Sequence, residues 1–291
     1  MSWQRTGTTI LGRYVLGAQI GIGGMSEVHH AIDTLGNRAA AVKLLSPAFA
    51  DDTRAREMAR REAWVIAEVR HPSVPVLYDH GEVLLREGVV VPCMVMELIS
   101  GIMLTERLAR GPLPWREAVG LTATIADALA VAHRRGIVHR DLTSGNLMLT
   151  AAGIKIIDFG LAGMVVRDEP DTSGVVFRSP KRLRPTQREV APTWNDTVLS
   201  EAASHGDPAD DVYSLGVLLY QMLTGRSPYA SVGESDHPAA ARQRRTAPTP
   251  VLSIPGMPRT VADICRDCMA KRSTDRPDSV GAALALWSVL V

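Results

Sequence analysis

His139-Arg140-Asp141-Leu142-Thr143-Ser144-Gly145-Asn146, followed twelve residues after its Asn by Asp158-Phe159-Gly160, is the stretch from which the chain is read. An acid, an amide five residues later and a second carboxylate beyond an apolar run make up the set that phosphoryl transfer from a metal-bound nucleotide needs. Asp141 can accept or orient a substrate hydroxyl. Asn146 and Asp158 offer hard oxygen ligands to Mg²⁺ or Mn²⁺. The His-Arg-Asp triplet alone says little; its spacing to Asn146 and Asp158 gives it weight.

Composition sets the frame. The 291 residues suffice for one large domain or two lobes around a cleft, and 46% hydrophobic residues supply a full core. Lys plus Arg number 32 against 31 Asp plus Glu, so no global field draws nucleic acid or a membrane surface. Cys93, Cys265 and Cys268 do not form a secreted disulfide framework. Cys265 and Cys268 have helical spacing and no second ligand pair of the kind zinc needs, so they read as small residues on a buried face. No run reaches the ~18 apolar residues of a membrane span. The N-terminus lacks a charged start followed by an apolar run. A cytoplasmic domain, or the cytoplasmic part of a longer protein, is expected.

Residues 1–9 read as a loose leader and Tyr14 to Ile20 as a strand. Gly21-Ile22-Gly23-Gly24-Met25-Ser26-Glu27-Val28 follows, where glycines let a hairpin backbone approach phosphates. Arg38 to Leu45 reads as a strand carrying Lys43. Asp51 to Arg70 reads as a helix with Ala55, Met58, Ala59, Glu62, Ile66 and Val69 near one face. A Lys in an apolar strand and a Glu on an apolar stripe need partners, and Lys43 and Glu62 suit each other. His71-Pro72 ends the helix. Val74 to Tyr78 and Val89 to Glu97 read as strands, the second leading into a Ser100-Gly101 turn. Pro114 opens a long helix whose apolar stripe runs from Ala118 to His133, with Gly136 past its end. Ile137-Val138 is a short strand. Leu147 to Leu149 and Ile154 to Ile157 read as a hairpin delivering Asp158. Leu161 to Arg178 is polar and mixed. Asp210 to Gly225 reads as a buried helix, residues 237–249 as a short helix and a Pro-rich turn, and Thr260 to Ala270 and Ser279 to Val289 as closing helices.

Taken together, these motifs resemble the protein kinases, in order and from about Arg13 to about Leu290. Gly23-Gly24-Met25-Ser26-Glu27-Val28 and Asp211-Val212-Tyr213-Ser214-Leu215-Gly216 look closest to bacterial serine/threonine kinases of eukaryotic type. The resemblance implies an α+β, two-lobed fold: a leader 1–12, an N-lobe 13–97, a hinge 98–101 and a C-lobe 102–291 with an insertion at about 182–208. It implies that Lys43, held by Glu62, contacts the ATP phosphates, that Asp141 is the catalytic residue that accepts or orients the substrate hydroxyl, and that Asn146 and Asp158 hold the metal. Ile20, Gly21, Gly23, Val28, Ala41, Met96 and Met148 would enclose the nucleotide, and the backbones of Glu97 and Ile99 would bond the adenine edge. His139 would be structural. Asp211 would cap its helix and anchor the catalytic loop. Arg140 would pair with a phosphorylated loop hydroxyl, Thr172 or Ser173. Activity on protein Ser/Thr hydroxyls, with autophosphorylation through a homodimer, is the expectation; a nucleotide-binding pseudokinase is the alternative, and a small-molecule kinase fits less well.

Four departures from the family pattern motivate that alternative. Thr143 stands where a Lys is usual, Gly174 where a loop Thr is usual beside Ser173, and Lys181 where a Glu follows Pro180. Arg276, the usual partner of that Glu, is expected in solvent or beside Glu189 or Glu201. The stretch from Lys181 to Asp210, with Pro185, Pro192, Trp194 and Pro208, is long for a connection.

Overall fold

The computed structural model describes residues 6–85, 88–159, 163–164, 207–229 and 247–291. Thr172, Ser173, Gly174, Lys181, Glu189, Glu201, the 182–206 part of the inserted stretch and residues 237–246 lie outside the described residues.

The first lobe is a six-stranded antiparallel sheet in the order β1-β2-β3-β4-β6-β5. Its strands are β1 (Thr9–Ile10), β2 (Tyr14–Ile22), β3 (Ser26–Asp33), β4 (Arg38–Leu45), β5 (Leu77–Leu84) and β6 (Val90–Glu97). In β3 burial alternates residue by residue, the period of a pleated strand. β6 is buried along most of its length because it runs between neighbours with both faces covered. Helix α1 (Thr53–Glu68) follows β4. Asp52 caps it, its carboxylate accepting from the Arg54 and Ala55 amides. Ala55, Glu62, Ala63, Val65 and Ile66 form its buried face, so the apolar stripe of the sequence carries a charged residue inside.

The second lobe is helical. Beyond β7 (Ile102–Met103) come α2 (Leu104–Leu108), α3 (Trp115–Arg134), β8 (Ile137–Val138), and the hairpin of β9 (Leu147–Thr150) and β10 (Gly153–Ile156). β11 (Gly163–Met164) pairs with β8. Helices α4 (Pro208–Thr224), α5 (Arg259–Cys268) and α6 (Ser279–Leu290) complete it. α4 is buried over most of its surface and ends at Gly225, whose φ of 70° suits glycine. Cys265 and Cys268 face the C-lobe core beside Gly216, and burial raises both thiols, Cys268 to about 12. This matches the reading of two small buried residues.

Four expectations need correction. The end of the supposed leader joins the sheet: Thr9–Ile10 pairs with Tyr14 and Val15, and Ile10 is buried, while residues 1–5 lie outside the described residues. The strand expected at Val74 to Tyr78 starts at Leu77 and runs to Leu84, because His71–Val76 turns back on itself, Val74 N donating to His71 O. The cap of α4 is Asp207, whose carboxylate accepts from Ala209 N; Asp211 sits one turn further in. Arg276 is not in solvent; Glu189 and Glu201 lie outside the described residues. The Arg276 guanidinium donates to Ala270 O, Ala209 O, Asp210 and Lys271 O, and lies over the Tyr213 ring at 4.9 Å.

Candidate active site

Lys43 leaves the cleft-facing side of β4, and β4 pairs with β3 and β6 so that Val28, Lys43 and Met94 are in register, as are Ala41 and Met96. Directly paired residues share a face. Val28, Ala41, Lys43 and Met96 therefore lie on one side of the sheet. Lys43 Nζ donates to both oxygens of Glu62 at 2.6 and 2.8 Å, and lies 3.5 Å from Asp158 Oδ1. Burial opposes charge on Lys43, but the two carboxylates prevail and raise its value. For Glu62 burial pushes the carboxyl up, and the Lys43 ammonium opposes that rise. Removing either partner of such a pair leaves a buried charge uncompensated, at a cost of roughly 3–5 kcal/mol.

Below the sheet, the 139–146 segment is held from underneath. Arg140 has a left-handed φ of 67°, which costs energy for a non-glycine residue. Asp211, buried in α4, fixes it: one oxygen accepts from His139 N (2.7 Å) and His133 Nε2 (2.8 Å), the other from Arg140 N (2.8 Å). The expected anchoring by Asp211 is thus present. His139 is buried against the Phe159 ring, centroids 4.7 Å apart, and burial lowers its value and keeps it neutral. Asp141 is partly exposed, with Oδ2 and the backbone oxygen accepting from Asn146 Nδ2 at 2.9 and 2.8 Å. That spends the amide nitrogen of Asn146 and leaves its oxygen.

Asp141, Asn146, Asp158, Lys43, Glu62, Gly23, Gly24 and Ser26 line one open cleft. Met58, Ala59, Pro92, Cys93 and Met94 line it as well; sequence reasoning did not place them there, although Met58 and Ala59 precede Glu62 on the same helical stripe. Gly23 N bonds Ser26 O, closing the glycine turn, and Gly21 pairs with Val28. Ile20 is half exposed on the stem of that turn. Met148 pairs with Met103 and lies beside Gly101, at the end of the segment that Glu97 and Ile99 begin. The Glu97 carboxylate itself is taken by Lys155 at 2.8 and 2.9 Å and by Val76 N. Thr143 is exposed at the cleft edge.

Among the described residues no group of three or more His, Cys, Asp or Glu is placed to hold a metal. An Asp158 carboxylate and an Asn146 amide oxygen fit a hard cation that takes its remaining ligands from phosphate and water. No helix among the described residues is long and apolar enough to cross a membrane.

A family model described as the protein kinase domain matches residues 14–287. The probable serine/threonine-protein kinase PknB of Bifidobacterium longum is 34% identical over 275 residues, covering 91% of this chain and 38% of that protein. The probable serine/threonine-protein kinase CE0033 of Corynebacterium efficiens is 35% identical over 277 residues, covering 92% of this chain and 39% of that protein. The serine/threonine-protein kinase PknA of Mycobacterium tuberculosis H37Rv is 34% identical over 279 residues, covering 95% of this chain and 61% of that protein. The chain spans between 38% and 61% of the length of these relatives.

Proposed function

This chain belongs to the protein kinase domain family, and from that premise we propose that it transfers the γ-phosphate of ATP to serine or threonine hydroxyls of proteins. The observation that carries the reading is the convergence of Lys43, Glu62, Asp141, Asn146 and Asp158 on one cleft beneath the glycine turn. The serine/threonine preference follows the names of the relatives.

In this reading Lys43, held by Glu62, orients the α- and β-phosphates. Val28, Ala41, Met96 and Met148 enclose the adenine with Ile20, Gly21 and Gly23 over it, and the Glu97 and Ile99 backbones read its edge. Asp141, kept in place by Asn146 Nδ2, accepts the substrate hydroxyl's proton as that oxygen attacks in line. Asp158 and the Asn146 oxygen would hold Mg²⁺, which would supply charge neutralisation on the phosphates. The ATP donor of this reading is consistent with a cytoplasmic reaction. Autophosphorylation between two copies, at Thr172 or Ser173, would engage Arg140.

The test is phosphate transfer from Mg-ATP by wild type, Lys43→Met and Asp141→Asn, with labelled sites mapped by mass. Labelling by wild type and a loss of at least about a hundredfold in both variants is expected, since both residues act on the transition state. Full turnover by Asp141→Asn would overturn the assignment. Nucleotide binding with no transfer by wild type would favour a non-catalytic role, for which the exposed Thr143 in place of Lys is the motivating residue.

A further inference from the structure

The stem of the glycine turn carries a buried polar cluster on the face away from the nucleotide. Glu27 and His29 are each 1% exposed, although they flank Val28 on the strand that roofs the cleft. Glu27 Oε1 meets His29 Nε2 at 2.8 Å, and Glu27 Oε2 accepts from Gln19 Nε2 at 3.1 Å, across the hairpin. His29 Nδ1 faces Gly17 O at 3.4 Å, an oxygen that also accepts from Thr6 Oγ1. Such a cluster is an odd occupant of a face otherwise built from Leu16, Ala31, Val42 and Leu44, because a buried carboxylate needs partners to be tolerated at all.

Its position accounts for it. The β2–β3 ladder is regular from Tyr14 to Leu16, then shifts between Leu16 and Gln19 and again between Gln19 and Gly21. Each shift inserts an extra residue in β2, so backbone pairing by itself fixes the stem poorly between Leu16 and Gly21. A slip of one residue in β3 would carry Glu27 and His29 to the cleft face and remove Val28 from it. Buried polar groups are best attested as devices that select one register. Gln19 lies between the two shifts and reaches Glu27, so the cluster closes the ladder where the backbone does not.

We infer that Gln19, Glu27 and His29 are positioning residues that lock the register of the phosphate-binding hairpin from behind the sheet. The consequence for nucleotide rests on the kinase reading; the register itself does not.

The test compares wild type with isosteric Glu27→Gln and with the triple variant Gln19→Leu/Glu27→Leu/His29→Leu, which fills the same space with apolar groups. Three quantities are read: the melting temperature without nucleotide, amide exchange at residues 20–28, and Mg-ADP affinity by calorimetry. Replacing a buried polar cluster by well-packed apolar groups is often neutral or stabilising for the fold, so the triple variant should melt no lower than wild type while exchange at residues 20–28 rises about tenfold and Mg-ADP binds about tenfold more weakly. Glu27→Gln should move exchange and affinity in the same direction by less, and carries the test where the triple variant does not fold. Exchange within twofold of wild type in a folded variant would overturn the inference. Failure of wild type to bind Mg-ADP would overturn the nucleotide reading instead, and the exchange comparison would still decide the register.

Discussion

Arg140 and Asp211 show what one residue can hold. The left-handed φ of Arg140 persists because Asp211 accepts from two consecutive backbone amides and from His133. Asp211→Asn puts an amide NH₂ against one of those donors and leaves it unsatisfied, a loss of about 2–3 kcal/mol. The expected result is a lower melting temperature and a fall in turnover larger than the change in substrate KM, because Asp141 follows directly in the chain. His139 supplies a pH dependence. Burial sets its folded value below the ordinary 6.5, so the neutral ring is the one the fold accommodates. The unfolded chain then binds more protons in acid, and the contribution is fully present above the unfolded value and lost as pH falls through and below it. His71, also lowered by burial, adds with the same sign. Glu62, whose carboxyl burial raises to about 7, contributes with the opposite sign in this window, so the His139 share is read as a difference: from about pH 7.5 to about pH 5.5 the wild-type melting temperature should fall relative to that of His139→Asn. An equal change in both proteins would show that His139 is not the titrating group. Lys43 and Glu62 were legible as a pair in the sequence, since each was a charge in an apolar pattern. The Arg276 environment was not, because its partners are backbone oxygens and a neighbouring helix's Asp210, which no pattern of types reveals.

At the scale of elements, α4 and α5 meet where a side chain has no room. A Cβ on Gly216 would approach Cys268 Cβ and Met269 Cγ at 2.8 Å and Met269 N at 3.2 Å. Gly216→Ala must therefore push α5 away from α4, an overpacking cost of roughly 1–3 kcal/mol. Urea unfolding should show a lower midpoint with an unchanged slope. Because α4 also carries Asp211, turnover should fall with it. Periodicity located α1, α3, α4 and α6, as amphipathic or all-apolar helices of three turns or more must be. It misplaced β5 by three residues, since Val74 and Val76 look like strand residues while Val74 N is held by His71 O in a turn and Val76 N goes to the Glu97 carboxylate. β3 was not read as a strand at all: Glu27, His29 and Asp33 give it a polar alternation, and their burial depends on cross-strand partners that lie 8 to 20 residues away or within the strand.

For the molecule as a whole, the cleft lies between a sheet lobe that brings Lys43 and Glu62 and a helical lobe that brings Asp141 and Asn146, with Asp158 at the end of the β9–β10 hairpin. A ligand that contacts both lobes stabilises the folded state by mass action. Mg-ATP at about a hundred times its Kd should add about 2.7 kcal/mol, seen as a rise in melting temperature of roughly 4–5 °C for a domain of this size. Lys43→Met should lose most of that rise, measured by thermal shift with and without nucleotide. The sequence by itself determined the candidate residues and the order of the motifs, because spacing along the chain fixes which residue types one loop and one hairpin present, and the resemblance those motifs carry implied the two-lobed class. Only the tertiary structure decided that the 6–12 segment joins the sheet, that Asp207 and not Asp211 caps α4, that Arg276 is satisfied by α4, and that Glu27 and His29 are buried behind the glycine turn. Each of those depends on which distant backbone groups and charges come within hydrogen-bond reach, and that is a property of packing, not of local pattern.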